Sequence, residues 1–400
     1  MGIAINKLEM MNIVNLRNKV KSSRLIYSIY YYLGSFLLSF LKVCVKADEK
    51  LILFVSYGGR KYDDSPQNIY EAMINDERFK DYRLIWAFEK PEMFKISQDG
   101  KVKINSLNYF LLALKARVWI TNASMRRGLS FDGKNTLYVN TWHGTAIKYI
   151  GRDCSASGQE FNSKVRRAVA DIMTAQGEYD VKVFSKAFGL SENQIYLTGL
   201  PRNDVLVKDN KSDIITRLKR EMGLNDDRKI LLYAPTFREY DGMHNWKQIQ
   251  PFNLEEWENW LGKDYVLLIR GHQVVQEMLG VTENGFVKNV TSYPNLNDLM
   301  LVSDILISDY SSIVFDYSVL EKPIFCYVYD YDKYTQIRGT YFDIRKELSY
   351  AENEDELIHK IQDINWASEK DKVLKFKDKF VQQYGSASEK VLDIIYEKIN

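Results

Sequence analysis

The strongest constraint on the fold is an alternation, from residue 50 onward, of short apolar runs with segments of helical periodicity. Consecutive side chains in these runs are apolar, so both faces of each strand must be buried, as in a parallel sheet covered by helices on both sides. The alternation breaks at a turn near residue 200 and resumes after a charged helix. The predicted strands are 51–56, 83–88, 101–104, 117–121 and 137–141 before the break, and 229–234, 265–269, 286–290, 304–308 and 323–327 after it.

Two successive units of this kind predict an α/β protein with two Rossmann-like domains that face a cleft. We place the N-terminal domain at residues 49–205 and the C-terminal domain at 206–375. The stretch from Asn353 has the pattern of two or three amphipathic helices, the first capped by Asn353 with Glu356 three residues further on. Residues 376–400 are expected to form a helix that closes the structure.

An apolar segment near the N-terminus lies outside this pattern. Residues 25–41 carry no charge between Arg24 and Lys42, and their 17 positions are at the lower limit for a helix that spans a bilayer. No small-residue cleavage site follows, which disfavours a signal peptide. The segment can pack on the protein's own body, or lie on or insert into a membrane with its cations at headgroup level. We predict that residues 1–48 form an N-terminal membrane-associating helical segment, on the cytoplasmic face of the cell membrane.

Charge and cysteine content restrict the partners and the compartment. The chain has 55 Lys and Arg against 53 Asp and Glu, a formal net charge of +2, so it has no global field to hold nucleic acid and any anion site must be local. The three cysteines, Cys44, Cys154 and Cys326, are far apart in sequence, which disfavours a disulfide framework or a Cys-x-x-Cys metal site. We expect a reducing, cytosolic compartment and no nucleic-acid partner.

Two of the four histidines follow predicted strands. His143 comes just after the strand at 137–141, and His272 follows Arg270 just after a strand of the second unit. Open α/β sheets bind ligands at the carboxyl ends of their strands. An imidazole there suits acid–base catalysis, and the Arg270 and His272 pair suits phosphate binding. The alternative for each histidine is a backbone hydrogen bond that only stabilises the sheet edge.

Hydroxyl groups follow two of the predicted strands of the second unit. Ser311 and Ser312 precede an apolar helical run, where hydroxyls and free helix amides together form a candidate phosphate site. Helix capping alone is the alternative interpretation. Thr236 and Arg238 project at the same edge of the predicted sheet.

Several catalytic motifs are missing from the sequence. It has no Walker A loop, no G-x-G-x-x-G and no G-x-S-x-G, which disfavours a P-loop enzyme, a dehydrogenase and an α/β-hydrolase. Asp330-Tyr-Asp332 is similar to the metal-holding acidic pair of some sugar-nucleotide transferases, but we interpret this isolated pair as a solvated turn. No metal site or cofactor is predicted.

Six segments carry a resemblance to a known family. They are NTWHGTAIK (140–148), GLPRND (199–204), APTFRE (234–239), RGH (270–272), YPNLNDL (293–299) and SDYSSIVFDY (308–317). In order and spacing they resemble the CDP-glycerol glycerophosphotransferase family, which includes the wall teichoic acid primases and polymerases and related capsule enzymes. The resemblance covers roughly residues 50–385, and Ala146 stands where the family usually has proline.

The resemblance implies a GT-B fold, with the CDP-activated donor bound mainly by the C-terminal domain. It implies transfer of glycerol phosphate from CDP-glycerol to a hydroxyl of a lipid-linked teichoic acid or capsule acceptor, with release of CMP. In this reaction His143 would be the general base, and His272 with Arg270 would stabilise the phosphates or the leaving CMP. The remaining residues expected to bind the donor are Thr236, Arg238, Ser311, Ser312, Asn297 and Asp298.

Four alternatives stay open at this point. The same motifs would serve transfer of ribitol phosphate from CDP-ribitol, and a divalent cation bound loosely to the pyrophosphate is compatible with them. A noncatalytic membrane scaffold that retains the fold is an alternative from another class. A sugar-nucleotide glycosyltransferase is an alternative at the level of the fold.

Overall fold

The structure is a computed structural model, and it describes residues 24–154, 170–224, 227–236, 238, 247–249, 251–271, 277–279 and 281–400. Two parallel sheets with helices on their faces make up most of these residues. The α/β prediction is therefore confirmed.

The first sheet belongs to the N-terminal domain. Its elements are α1 (Arg24–Cys44), β1 (Asp48–Val55), α2 (Asp64–Ile74), β2 (Arg83–Phe88), β3 (Lys101–Lys103), α3 (Leu107–Lys115), β4 (Ala116–Thr121), β5 (Leu137–Asn140), β6 (Ile172–Ala175), α4 (Glu178–Phe188) and β7 (Ile195–Leu197). The strand order among the described residues is β3-β2-β1-β4-β5-β6-β7, with parallel pairing throughout. Apolar clusters fill both faces of this sheet.

A 3₁₀ helix at Pro201–Val207 connects this domain to the second sheet. The elements that follow are α5 (Lys211–Glu221), β8 (Lys229–Tyr233), β9 (Lys247–Ile249), α6 (Leu254–Leu261), β10 (Tyr265–Ile269), β11 (Glu277–Leu279), β12 (Val287–Asn289), α7 (Leu296–Val302), β13 (Ile305–Ser308), α8 (Ile313–Ser318), β14 (Ile324–Tyr327), α9 (Tyr331–Arg338) and β15 (Ser349–Ala351). The parallel order in the described part of the chain is β12-β10-β8-β13-β14-β15, and β9 pairs with β11 apart from it.

Every predicted strand is present within three residues of its predicted ends. The sequence pattern missed β6, β7, β9, β11 and β15, which are only three or four residues long and therefore carry little periodicity. The α2 helix begins at Asp64, capped by Asp63, so Pro66 lies in its first turn. A helix tolerates proline anywhere in its first turn, so Pro66 alone does not locate the first residue.

The chain ends in three helices: α10 (Glu354–Gln362), α11 (Trp366–Phe380) and α12 (Ala387–Ile399). The Asn353 side chain accepts a hydrogen bond from the Glu356 amide at 2.9 Å, as predicted for the cap. The predicted boundary at residue 375 falls inside α11, which packs on the C-terminal sheet. The α12 helix instead returns to the core of the N-terminal domain.

The α1 helix lies against the N-terminal domain along one face. The Tyr27 and Tyr30 hydroxyls donate to the backbone carbonyls of Gly128 and Arg127, at 3.3 and 3.1 Å, and Leu38 is buried. The opposite face exposes large apolar side chains: Leu25, Ile29, Tyr32, Leu33, Phe36, Phe40 and Val43. By length and composition, this described helix is also apolar enough to cross a membrane.

Candidate active site

A cavity of about 1050 Å³ lies where the carboxyl ends of the two sheets meet. The N-terminal domain contributes His143 and the loop around it, while the C-terminal domain contributes residues that follow β8, β10 and β13. Among the predicted site residues, the cavity wall includes His143, Thr236, Arg270, Asn297, Ser311 and Ser312. The fold therefore brings together side chains that are up to 169 positions apart in sequence (143 to 312).

The His143 ring is held by the loop that follows β4. Its Nδ1 lies 2.9 Å from the backbone carbonyl oxygen of Asn122. A carbonyl can only accept, so Nδ1 carries the proton and Nε2 is left with a lone pair. Burial lowers the pKa of His143 below its ordinary value, which keeps the ring neutral at physiological pH. The imidazole is thus in the tautomer and charge state of a general base.

The backbone around His143 is constrained. Trp142 has a φ of 51°, in the left-handed region, and its ring centroid lies 4.0 Å from that of His143. Gly144 has a φ of 131°, and a Cβ there would lie 2.5 Å from the Ser312 Oγ of the other domain. Glycine at position 144 therefore permits the close approach of the His143 loop to the C-terminal domain.

The C-terminal wall of the cavity is rich in hydrogen-bond donors. The Thr236 Oγ1 is buried and makes no hydrogen bond to any described residue. Arg270 donates from Nη1 to the backbone carbonyl of Tyr293 at 2.6 Å, which fixes its side chain at the wall. Burial lowers the pKa of Arg270. A buried hydroxyl without a partner is costly unless a ligand satisfies it.

Ser311 and Ser312 lie at the start of the six-residue helix α8. The Ser312 side chain makes no capping hydrogen bond to this helix, and Ser311 Oγ accepts one from the Ile313 amide at 3.4 Å. Capping therefore accounts poorly for Ser312, whose side chain lies against Gly144 of the other domain at the cavity wall.

Arg238 does not line the cavity. Its guanidinium pairs with Asp309 and Asp330, at 2.8 and 2.7 Å, and lies over the rings of Tyr310 and Tyr334. The interpretation of Asp330 as part of a solvated turn is wrong, because its side chain is only 10% exposed and engages Arg238.

The other predicted residues have different surroundings. Asp298 is also outside the cavity wall, and its carboxylate accepts a hydrogen bond from the Tyr293 hydroxyl at 3.0 Å. Asn297 donates from its amide to the backbone carbonyl of Arg202. His272 lies outside the described residues, so its role stays a prediction.

Sequence reasoning missed a buried ionic cluster at the base of the cavity. Arg202 donates from Nη1 to Asp64 at 3.1 Å and from Nη2 to Asp316 at 2.7 Å, and the Tyr57 hydroxyl donates to Asp64. Arg202 and Asp316 lie within two of the segments that carry the family resemblance, which was the available signal. Asp64 had no such signal. Among the described residues, no group of three or more His, Cys, Asp or Glu side chains is arranged to hold a metal ion.

Comparison with known proteins identifies the family to which the chain belongs. The model of CDP-Glycerol:Poly(glycerophosphate) glycerophosphotransferase matches residues 37–397. The chain belongs to this family. It is therefore an enzyme of the transferase class, and the family predicted from the six segments is confirmed.

Relatives and solved structures agree with this assignment. The chain is 31% identical over 371 residues to the teichoic acid glycerol-phosphate transferase of Staphylococcus aureus, with coverage of 88% of this chain and 94% of that protein. It is 33% identical over 374 residues to the teichoic acid poly(glycerol phosphate) polymerase of Staphylococcus epidermidis, covering 88% of this chain but about half, 51%, of the polymerase. A variant of the wall teichoic acid polymerase TagF superposes with a TM-score of 0.82 at 28% identity, over 99% of this chain and 98% of that chain. The predicted GT-B type of fold is confirmed.

Proposed function

We propose that the chain transfers glycerol phosphate from CDP-glycerol to a hydroxyl of a lipid-linked teichoic acid or capsule acceptor, with release of CMP. One observation carries this proposal: a histidine whose Nδ1 is bonded to the backbone, which leaves Nε2 with a lone pair, shares a cavity with an arginine and hydroxyl side chains of the opposite domain. Phosphoryl transfer to a hydroxyl needs a group that takes the hydroxyl proton and donors that stabilise charge on the phosphates.

In the proposed step, the acceptor hydroxyl loses its proton to Nε2 of His143 as its oxygen forms a bond to the β-phosphorus of the donor. The bond between that phosphorus and the bridging oxygen breaks, and the electron pair leaves with CMP. The Nδ1–H bond to Asn122 keeps the ring in place and stabilises the imidazolium that forms.

The C-terminal wall would hold the pyrophosphate. Arg270, Ser311, Ser312 and Thr236 line the cavity, and the Thr236 hydroxyl has no hydrogen-bond partner among the described residues. His272 is proposed to act beside Arg270, and Asn297 near the nucleoside. No resident cofactor is part of this step, and a divalent cation would enter as part of the substrate complex.

The donor polyol has one alternative. A teichoic acid ribitol-phosphate primase is among the relatives, so CDP-ribitol is the second candidate donor. Both polyols present the same pyrophosphate to the C-terminal wall, so the discrimination depends on contacts to the polyol chain.

We also propose that α1 anchors the protein to the cytoplasmic face of the cell membrane by lying in it rather than by crossing it. The face with Tyr27, Tyr30 and Leu38 is bonded or packed against the N-terminal domain. A spanning helix would have to break these contacts, whereas a helix in the interface keeps them and buries only its exposed apolar face.

The test of the activity is a donor panel. Purified protein receives CDP-glycerol, CDP-ribitol or a UDP-sugar with a lipid-linked acceptor, in Mg²⁺ or in EDTA, and release of CMP or UDP is measured. We expect CMP from CDP-glycerol, and a decrease of roughly 10²-fold or more in His143→Ala with CDP binding retained, the usual contribution of a positioned acid–base group. UDP release alone, or an active His143→Ala, would contradict the proposal.

A further inference from the structure

Arg202 connects the two domains at the base of the cavity. It lies on the 3₁₀ helix between them, and its two Nη groups bind Asp64 of the N-terminal domain and Asp316 of the C-terminal domain. The three side chains are 11%, 3% and 4% exposed. A buried guanidinium forked onto two carboxylates is a rigid connection, because breaking either pair leaves a buried charge uncompensated.

The backbone around Arg202 is held from both sides as well. On the N-terminal side, Asn68 donates to the carbonyl of Pro201 at 2.8 Å. On the C-terminal side, Asn297 donates to the carbonyl of Arg202, and the Asn203 amide donates to Asp316 at 2.7 Å. This turn is therefore hydrogen-bonded to both domains.

The loops that this cluster joins are strained. Tyr57, Asp64 and Trp142 all have φ between 46° and 65°, a conformation that is unfavourable for a non-glycine residue and persists only where the surroundings impose it. Arg202 lies next to a close approach of the two domains, since a Cβ on Gly144 would be 3.0 Å from its Nη2 and 2.5 Å from Ser312 Oγ.

We propose that Arg202 is a positioning residue: it fixes the distance between His143 on one domain and Ser312 on the other at which the acceptor hydroxyl meets the donor phosphate. It also neutralises Asp64 and Asp316, whose charges at the cavity wall would otherwise repel the pyrophosphate. This inference rests on the proposed function, which places the base and the phosphate donors on opposite domains.

The charges around His143 make the role of Arg202 measurable in the pH profile of the reaction. Tyr57 and Asp64 face His143 from the N-terminal domain, and Lys148 lies on its own loop. Arg202, Arg270 and Asp316 are among the other charged residues of the cavity wall, where His272 is also predicted. Burial, and to a smaller extent the charges of Arg202 and Lys148, lower the pKa of His143, whereas the hydrogen bond to Asn122 and the charge of Asp64 raise it. Because the base must be neutral, activity is lost as the pH falls below this pKa, and that acid limb reports the balance of Asp64 against Arg202.

The experiment compares Arg202→Lys, Arg202→Gln and Arg202→Gln/Asp64→Asn by kcat, KM for CDP-glycerol and the pH profile of CMP release. Arg202→Lys keeps the charge but cannot fork onto two carboxylates. We expect its kcat to fall roughly 10²-fold, as for a misplacement of about 1 Å, with the acid limb unmoved. In Arg202→Gln the acid limb of the pH profile should move to higher pH, because a charge that lowers the pKa of His143 is lost. The added Asp64→Asn should move the limb back, because it removes a charge that raises this pKa.

Arg78→Lys is the matched control. Arg78 also bridges two aspartates, Asp76 and Asp393, at 2.6 and 2.7 Å, but outside the cavity wall. Its kcat should stay within about twofold of wild type, since exposed pairs contribute little. Wild-type kcat in Arg202→Lys, or an unmoved acid limb in a folded Arg202→Gln, would overturn the inference. If Arg202→Gln does not fold, Asp64→Asn replaces it, and its limb must move to lower pH.

A second measurement separates this inference from the proposed function. Hydrogen exchange of the backbone amides at 142–145 needs no substrate. Faster exchange in Arg202→Lys than in wild type and Arg78→Lys supports the positioning role, even if CDP-glycerol proves to be the wrong donor. Equal exchange in all three proteins overturns it, even if CMP release and the loss in His143→Ala establish the reaction.

Discussion

At the residue scale, a substitution of Thr236 distinguishes a role in ligand binding from a role in stability. Its hydroxyl is buried without a described partner, so Thr236→Val should leave the free energy of unfolding unchanged or higher, because valine has nearly the same shape and no hydroxyl to desolvate. The affinity for CDP should fall by about 1.5 to 3 kcal/mol, the range for a hydrogen bond to a charged group. Calorimetry and thermal unfolding measure the two effects.

Thr174→Val is the matched control for this substitution. Thr174 is also fully buried, but its hydroxyl donates to the carbonyl of Thr141 at 3.1 Å. This variant should lose about 1 kcal/mol of stability and keep its CDP affinity. A Thr236→Val protein that is destabilised like the control, with unchanged affinity, would assign Thr236 to the fold rather than to the ligand.

At the scale of the element, the exposed face of α1 is the part that carries the membrane proposal. Phe36→Glu/Phe40→Glu places two charges where the side chains are 67% and 62% exposed. Binding to anionic liposomes should be lost, because a carboxylate on this face opposes both apolar insertion and the anionic surface. Folding should be unaffected, since neither side chain belongs to the core.

Trp260→Glu, at a side chain 55% exposed on α6 of the other domain, should bind liposomes like wild type. Alkaline washing of membranes should release wild-type protein at least in part. Complete retention after the wash would contradict a helix that lies in the interface and favour one that spans. Unchanged liposome binding by the double variant would contradict the anchor altogether.

At the scale of the whole molecule, the C-terminal helix stabilises the N-terminal domain. Val391, Leu392 and Ile395 of α12 are buried against Ile69 and its neighbours in the N-terminal core. Ile395→Ala should therefore lower the stability of the N-terminal domain by about 2 to 5 kcal/mol. Proteolysis of this variant should cut first between residues 48 and 197. Ile399→Ala, at the partly exposed end of the helix, should have a smaller effect, and first cleavage in the C-terminal domain would contradict this coupling.

The sequence by itself determined the longer strands, the edge of the sheet at which His143 lies, and the family. These features depend on local properties: a run of apolar residues forms a buried strand whatever its neighbours are, and the residue after a strand lies at its carboxyl end. The cap at Asn353 was predictable for the same reason, because Glu356 lies within one helical turn of it.

Only the tertiary structure decided where the buried arginines point. Arg238 was predicted at the donor site, but its carboxylate partner Asp330 lies 92 residues away and turns the guanidinium inward. The sequence analysis did not identify Arg202 as a site residue, because its partners, Asp64 and Asp316, are 138 and 114 residues away. The free energy of a buried charge depends on which opposite charge the fold places beside it, and no local pattern contains that distance.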